Sequence, residues 1–383
     1  MLESALAAGI AEGGGDAWLA GVLPTPAASV LVRRHGLDLA VVVSASHNPW
    51  RDNGIKIFGA DGRKLPDDVE TTIEELVAEG APKPEAVGRV LAIENAADDY
   101  LRELATVFDV DLSGRRIVLD CANGATSRVA PVAFERLGAE VTTIGTEPDG
   151  RNINEGCGST APAALADRVR ESGADLGFAF DGDGDRVVAV DREGRVRDGD
   201  ELLSLAAWEL EGRGALGGGV VVTVMSNYGF HVAMAEAGIE VATTPVGDRH
   251  VAAELEARGW ALGGEQSGHV IWTEAGRTGD GIAAALLVMS ALGDRDLGEA
   301  IPMDKLPQAL VNVRVADRDA VSESDVLEAA VVRESAALEG RGRILVRASG
   351  TEPLVRVMVE APSQDEADEA ARRLADVVTK ELS

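Results

Sequence analysis

The stretch FDGDGDRVV, residues 180 to 188, places Asp181, Asp183 and Asp185 at alternate positions. Three carboxylates held so close repel one another, and only a cation makes the arrangement tolerable. Gly182 and Gly184 between them let the backbone wrap a single ion. Oxygen-only ligands favour Mg²⁺, which keeps further positions for water or phosphate. A calcium-binding EF-hand loop needs Gly at its sixth position and Glu at its twelfth, where this chain has Arg186 and Arg192. A solvated acidic turn is the remaining alternative, and it fits poorly because Arg186 runs straight into the strand-like VVAV.

Three further loops carry chemistry. In VVVSASHNPW, residues 41 to 50, an apolar run ends at a corner that exposes Ser46, and Pro49 stops regular structure. His47 and Lys56 can lend this serine positive charge. Ser46 is a candidate hydrolase nucleophile without the GxSxG context, a candidate phosphate carrier, or a plain capping serine beside a surface histidine. In GGEQSGHV, residues 263 to 270, Glu265, Gln266, Ser267 and His269 mix donors and acceptors among glycines. Sugar hydroxyls ask for that mixture, and an ordinary polar turn also accommodates it. In RASGTEPLVR, residues 347 to 356, Gly350 permits a turn whose N–H groups converge on an anion. Ser349 and Thr351 add hydroxyls, and Arg347 can grip phosphate with two parallel bonds. Arg356 is a further candidate, or else points into the sheet. Softer signals are TTPVGDRHV (243–251), which brings Asp248, Arg249 and His250 together after a strand, and the TGDG turn (278–281), which opens a helix; a purely structural role also accounts for either, and LPTPAAS (23–29) reads as a rigid turn.

These loops must be positioned by elements, and the elements read as α/β. Short apolar strands such as LAVVVSAS, RRIVLDCANG and GGVVVTVMSN alternate with helical stretches such as APVAFERLGAE. Each strand ends in Gly, Asn, Asp or Ser, and ligands bind at that end of an open parallel sheet. Beyond about residue 305 the pattern becomes α+β, with polar–apolar alternation in VNVRV and VRVMVE and two helices in the tail. The sequence therefore divides into 1–102, 103–202, 203–304 and 305–383. A net charge of −29 over 383 residues argues against nucleic-acid or anionic-membrane partners. Cys121 and Cys157, without CxxC spacing, point to a reducing cytoplasm. The opening MLESALAAGIAEGGG reads as an amphipathic helix and not a signal peptide, and no membrane span is expected.

Taken together and in order, SASHNP, DCANGAT, NINEGCGST, MSNYG, TPVGDR, GGEQSGH and RASGTEP resemble the α-D-phosphohexomutase family along the whole chain. The resemblance implies three α/β domains and a C-terminal α+β domain around a central cleft. It implies a phosphorylated Ser46 that also ligates one Mg²⁺ with Asp181, Asp183 and Asp185. Glu265 and Ser267 would recognise sugar hydroxyls, with His269, Asp248 and Arg249 beside them. Arg347, Ser349, Gly350 and Thr351, with Arg356, would hold the phosphate that is not reacting. The implied reaction interconverts glucosamine 6-phosphate and glucosamine 1-phosphate through a 1,6-bisphosphate, supplying UDP-N-acetylglucosamine and cell-wall synthesis. Gln266 favours this sugar over mannose or glucose phosphate. Arg186 would offset charge, His47 would support the phosphoserine, and Lys56, with a lowered pKa, would move the proton. A homodimer is compatible with the resemblance. Family members begin with a GTDGIRG-like loop and a strand ending in GRDTR, whereas Met1 aligns inside the next helix. A start assigned too late, a fragment or a shortened protein would explain this. A shortened first sheet would expose edges and apolar surface, and a sugar-phosphate-binding protein without turnover is then the rival reading.

Overall fold

The computed structural model describes residues 1–80, 86–317, 320–321, 324–349 and 352–382. Two compact units emerge. One comprises Met1–Met225 with Ala237–Pro302, the other Ser226–Glu236 with Met303–Ser383.

Within the first unit, two sheets share one topology. Strands Glu140–Ile144, Arg116–Asp120, Leu176–Phe180, Val187–Asp191 and Val196–Arg197 form a five-stranded sheet in that order. The first three are mutually parallel, and the fourth turns back antiparallel. A four-stranded sheet repeats the pattern with Glu240–Thr244, Gly219–Thr223, Leu262–Gly264 and Val270–Trp272. The inner parallel strands are buried on both faces, which accounts for the unbroken apolar runs VVV at 220–222 and LGFAF at 176–180, whereas the edge strands Glu140–Ile144 and Glu240–Thr244 are partly exposed. The sequence reading alternated strands with helices and had the DGDGDR loop run into the strand-like VVAV, without giving that strand a direction. In the structure the DGDGDR and EQSGH loops close antiparallel hairpins, because their strands return immediately into the same sheet.

The first α/β region follows the same scheme in reduced form. Leu39–Ser44 pairs antiparallel with Gly54–Gly59 around the SASHNP loop, and Ala17–Leu19 pairs separately with Val90–Ala92. None of Leu39–Ser44 is fully buried, and Trp18, Leu39, Ile55 and Val90 are exposed. Position 102 lies inside the Ala96–Val107 helix, and position 203 inside Gly199–Gly212. Both cysteines are free and buried. Among the described residues no helix is long and apolar enough to cross a membrane.

The second unit is α+β. Gln308–Arg314, Leu354–Glu360 and Arg343–Ala348 form an antiparallel sheet with Leu354–Glu360 in the middle. Val355, Val357 and Val359 pack with Ala367, Ala371, Leu374 and Val378 of the Gln364–Leu382 helix. The period of two selects this face, as the alternation VRVMVE predicts. On the fully buried Glu360, Arg343 Nε donates at 2.9 Å and Tyr228 N at 2.8 Å. Nearby, burial and then the Arg343 charge push the His231 pKa down to about 4. Its folded pKa is thus below the unfolded value, so the stability it contributes is present above about pH 6.5 and lost as pH falls towards 4. Acidification across that window should cost roughly 2 kcal/mol after solvent screening. Chemical denaturation at pH 7 and pH 4.5 should show this slope reduced in His231→Gln.

Candidate active site

The Ser46 loop is a hairpin whose tip cannot relax into ordinary backbone. Ser46 has φ 51°, a left-handed conformation that costs a non-glycine residue about 1 kcal/mol or more. Local bonds hold it there. Ser46 N donates to Ser44 Oγ at 2.8 Å, and Asn154 Nδ2 donates to the carbonyls of Ser46 (2.8 Å) and Asn48 (2.9 Å). The loop lies directly on the aspartate loop: a Cβ on Gly182 would stand 2.5 Å from Ser46 O. Only glycine allows this approach, and it leaves Ser46 Oγ donating to Asp181 Oδ2 at 3.2 Å. His47 Nδ1 is 3.4 Å from the same hydroxyl. Burial, followed by the Arg186 charge, lowers the His47 pKa.

Asp181, Asp183 and Asp185 are all buried, and one oxygen from each lies within 4.8 Å of the others. Asp183 Oδ2 accepts from Thr25 Oγ1 (2.6 Å), Ser44 Oγ (2.7 Å) and Lys56 Nζ (2.7 Å). Lys56 Nζ also reaches Asp185 Oδ2 at 2.8 Å. Yet Asp183 Oδ1 and Asp185 Oδ1 are shielded from solvent without a hydrogen bond. Burial, and then the charges of Asp185 and Asp183, hold the Asp181 carboxyl well above the usual range. An oxygen-only donor set with two orphaned carboxylate oxygens fits a hard divalent cation, so the trio can hold a metal ion. Arg186 stands beside it, with Nε 3.8 Å from Asp185 Oδ1.

Lys56 departs from expectation. Burial alone would lower its pKa, but Asp185 and Asp183 outweigh burial and raise it above the ordinary lysine value. The two carboxylates that hold its charge here are ones that a metal ion would claim.

The EQSGH hairpin docks on the aspartate hairpin. Val187 N donates to Gly268 O and Gly199 N to Gln266 O, each at 3.0 Å. Glu265 Oε1 accepts from Gly247 N at 3.0 Å, and Ser267 is exposed with Oγ 3.5 Å from Glu265 Oε2. His269, by contrast, is enclosed. It is 3% exposed, with Nδ1 3.7 Å from Asp185 Oδ1 and Nε2 accepting from Gly279 N at 3.2 Å. A ring enclosed on both nitrogens has no face left for a sugar. Asp248 is bound to Lys64, and Arg249 to Asp67 and Glu70 of the Asp67–Glu79 helix. The charge of Arg249 thus serves an ion-pair cluster and not a free subsite.

In the second unit, Arg347 and Arg356 face each other directly across the antiparallel pair. Both alternate with Val346, Val355 and Val357 and so lie on the sheet face away from that core. Like charges in register repel, and an anion between them relieves the repulsion. Arg356 therefore does not point into the core. Ser349 is buried and donates its N–H to Leu354 O at 2.8 Å, while Gly350 and Thr351 lie outside the described residues.

Sequence reasoning missed Thr25, Ser44, Lys64 and Asn154. Thr25 stands between two prolines in LPTPAAS, and its hydroxyl could have been read as a ligand-orienting group. Asn154 sits at φ 59°, a conformation that asparagine tolerates and that a turn-rich NINEG hints at.

Known proteins match this arrangement along the whole chain. Family models described as phosphoglucomutase/phosphomannomutase alpha/beta/alpha domains I, II and III match residues 1–83, 98–194 and 198–306, and the corresponding C-terminal domain matches 310–377. The phosphoglucosamine mutase of Pelotomaculum thermopropionicum is 52% identical over 387 residues, covering 99% of this chain and 87% of that protein. A phosphoglucomutase/phosphomannomutase family protein from Burkholderia thailandensis, 24% identical, shares the fold with a TM-score of 0.81 over 100% of this chain and 87% of that one. The Aspergillus fumigatus N-acetylphosphoglucosamine mutase, solved with GlcNAc-6P and magnesium, is 21% identical with a TM-score of 0.71, covering 93% of this chain and 92% of its own. The chain belongs to the phosphoglucomutase/phosphomannomutase family, the α-D-phosphohexomutases.

Proposed function

We propose that this chain is an isomerase that interconverts glucosamine 6-phosphate and glucosamine 1-phosphate by way of a phosphorylated Ser46. The contact of Ser46 Oγ with the buried aspartate trio carries the reading, and the 52% identical phosphoglucosamine mutase supports the choice of sugar. In this reading the phosphoryl group on Ser46 Oγ passes to the C1 hydroxyl of glucosamine 6-phosphate. The P–O bond to serine breaks, the P–O bond to the sugar forms, and the hydroxyl proton is released. After the 1,6-bisphosphate turns round, its 6-phosphoryl returns to Ser46 Oγ, O6 takes up a proton, and glucosamine 1-phosphate leaves.

Asp181, Asp183 and Asp185 would hold Mg²⁺ together with the serine phosphate, and the ion would neutralise charge on the transferring group. Phosphoryl transfer through a loose transition state depends on positioning and charge far more than on a base. Lys56 and Arg186 supply positive charge beside the trio, and Lys56 is the candidate for moving the hydroxyl proton once a cation takes over Asp183 and Asp185. His47 supports the Ser46 hydroxyl. Glu265 and Ser267 are assigned to sugar hydroxyls, and Arg347 and Arg356, with Ser349, Gly350 and Thr351, to a phosphate clamp. The four-domain division at 102, 202 and 304 belongs to the same reading.

Turnover of glucosamine, glucose and mannose 6-phosphates, each primed with the matching 1,6-bisphosphate, tests the proposal. The glucosamine ester should lead by about tenfold or more in kcat/KM. Turnover of glucose or mannose phosphate alone would reassign the sugar. An absence of turnover together with an absence of phosphoserine would leave only binding.

A further inference from the structure

The TGDG turn, residues 278 to 281, has no role in the reaction described above, yet each of its last three residues touches the machinery. Gly279 N donates to His269 Nε2 at 3.2 Å, and a Cβ on Gly279 would stand 2.4 Å from that ring nitrogen. Gly281 N donates to Gly184 O at 2.9 Å, between Asp183 and Asp185, and a Cβ there would stand 2.6 Å from Arg186 O. Between the two glycines, Asp280 caps the Gly281–Leu292 helix by accepting from Ala283 N at 3.0 Å. The turn is thus in van der Waals contact with the aspartate loop on one side and with His269, the neighbour of Asp185, on the other.

What fixes the turn itself comes from far away in sequence. Tyr100, on the Ala96–Val107 helix, is fully buried, and its hydroxyl lies 3.0 Å from both Asp280 oxygens. Eight residues along the same segment, Phe108 packs its ring on Trp272, with centroids 5.4 Å apart. A buried carboxylate is tolerated only when its oxygens are satisfied, and the Tyr100 hydroxyl joins the Ala283 N–H in satisfying this one and fixing the turn. We propose that Tyr100 and Asp280 form a buried brace that positions the 181–186 loop for its divalent cation, making both residues positioning residues for metal binding. The inference rests on the metal reading of the aspartate trio given above.

The test uses Mn²⁺ as the probe, with binding to the full chain followed by the electron paramagnetic resonance of free Mn²⁺. Tyr100→Phe keeps the buried ring and removes only the donor. Its Mn²⁺ dissociation constant should rise about tenfold, the range seen when groups that orient metal ligands are lost. Its KM for glucosamine 6-phosphate should stay within about twofold, since Tyr100 does not reach the sugar loop. Asp280→Asn keeps an acceptor at the Oδ1 position for both Tyr100 and Ala283, and should bind Mn²⁺ within about threefold of wild type. If Tyr100→Phe binds Mn²⁺ like wild type, the brace is overturned, even if its melting temperature falls, because Tyr100 is then ordinary packing. If wild type binds no Mn²⁺, the metal reading and the brace fall together. If wild type binds Mn²⁺ but isomerises no sugar phosphate, the proposed function falls while the difference between Tyr100→Phe and wild type still supports the brace.

Discussion

Ser46→Ala should lower mutase turnover by about 10⁴-fold or more, because it removes the atom that carries the phosphoryl group between half-reactions. Beyond the Oγ contacts with Asp181 and His47, the substitution leaves the loop as it is. The bonds that hold the hairpin tip use main-chain atoms of residue 46, its N–H to Ser44 Oγ and its carbonyl to Asn154 Nδ2. Alanine suffers the same left-handed φ as serine and adds no bulk against Gly182. Substrate affinity should therefore change by less than about threefold, separating loss of chemistry from loss of the site. Intact mass after incubation with hexose 1,6-bisphosphate gives an independent reading: wild type should gain one phosphate, and the variant none. A variant retaining more than about one per cent of wild-type turnover would rule out Ser46 as the carrier.

Asp183→Asn should lower kcat by about 10³-fold and weaken divalent-cation binding by tenfold or more. Asp183 is the most heavily engaged of the three carboxylates. Its Oδ2 gathers the hydroxyls of Thr25 and Ser44 and the ammonium of Lys56, while its Oδ1 has no donor. Asparagine can keep the oxygen that serves those three donors, but it replaces the orphaned carboxylate oxygen with an amide. The stability effect should have the opposite sign. Removing one of three crowded negative charges relieves repulsion that the protein bears without a cation. In the presence of a chelator the melting temperature of Asp183→Asn should therefore equal or exceed that of wild type, a trade of stability for function common at active sites. A variant that melts earlier and loses activity in proportion would make Asp183 a scaffold residue.

The trio was legible because crowding like charges is improbable without a reason, and that argument needs only spacing. Ser46 was legible as a corner residue, and the ordered loops made the family recognisable. His269 and Arg249 were read as free groups, and Lys56 as one with a lowered pKa, for a common cause. Residue type announces a charge or a donor, but partners decide its use, and those partners come from elsewhere in the chain. The Asp183 and Asp185 carboxylates that keep Lys56 charged lie 127 and 129 residues away from it. Arg249 is held by Glu70, 179 residues away. The same distance hid Thr25, whose role depends on Asp183. The hairpin geometry of the loops was hidden for a different reason. A short apolar strand carries no mark of the direction in which its neighbour runs, so VVAV was legible as a strand but not as a returning one.

That shared geometry has a consequence for how such a molecule can diverge. Each of the three α/β regions contributes one reverse turn, at the same point of its own sheet. Substitutions at those tips alter the groups offered to a ligand while the paired strands behind them keep their register. New substrate preferences should accordingly arise at positions such as 266 and 267, with the ladders left intact. Changes at Gly182 or Gly268, where one turn rests on its neighbour, would separate the turns and silence all three together.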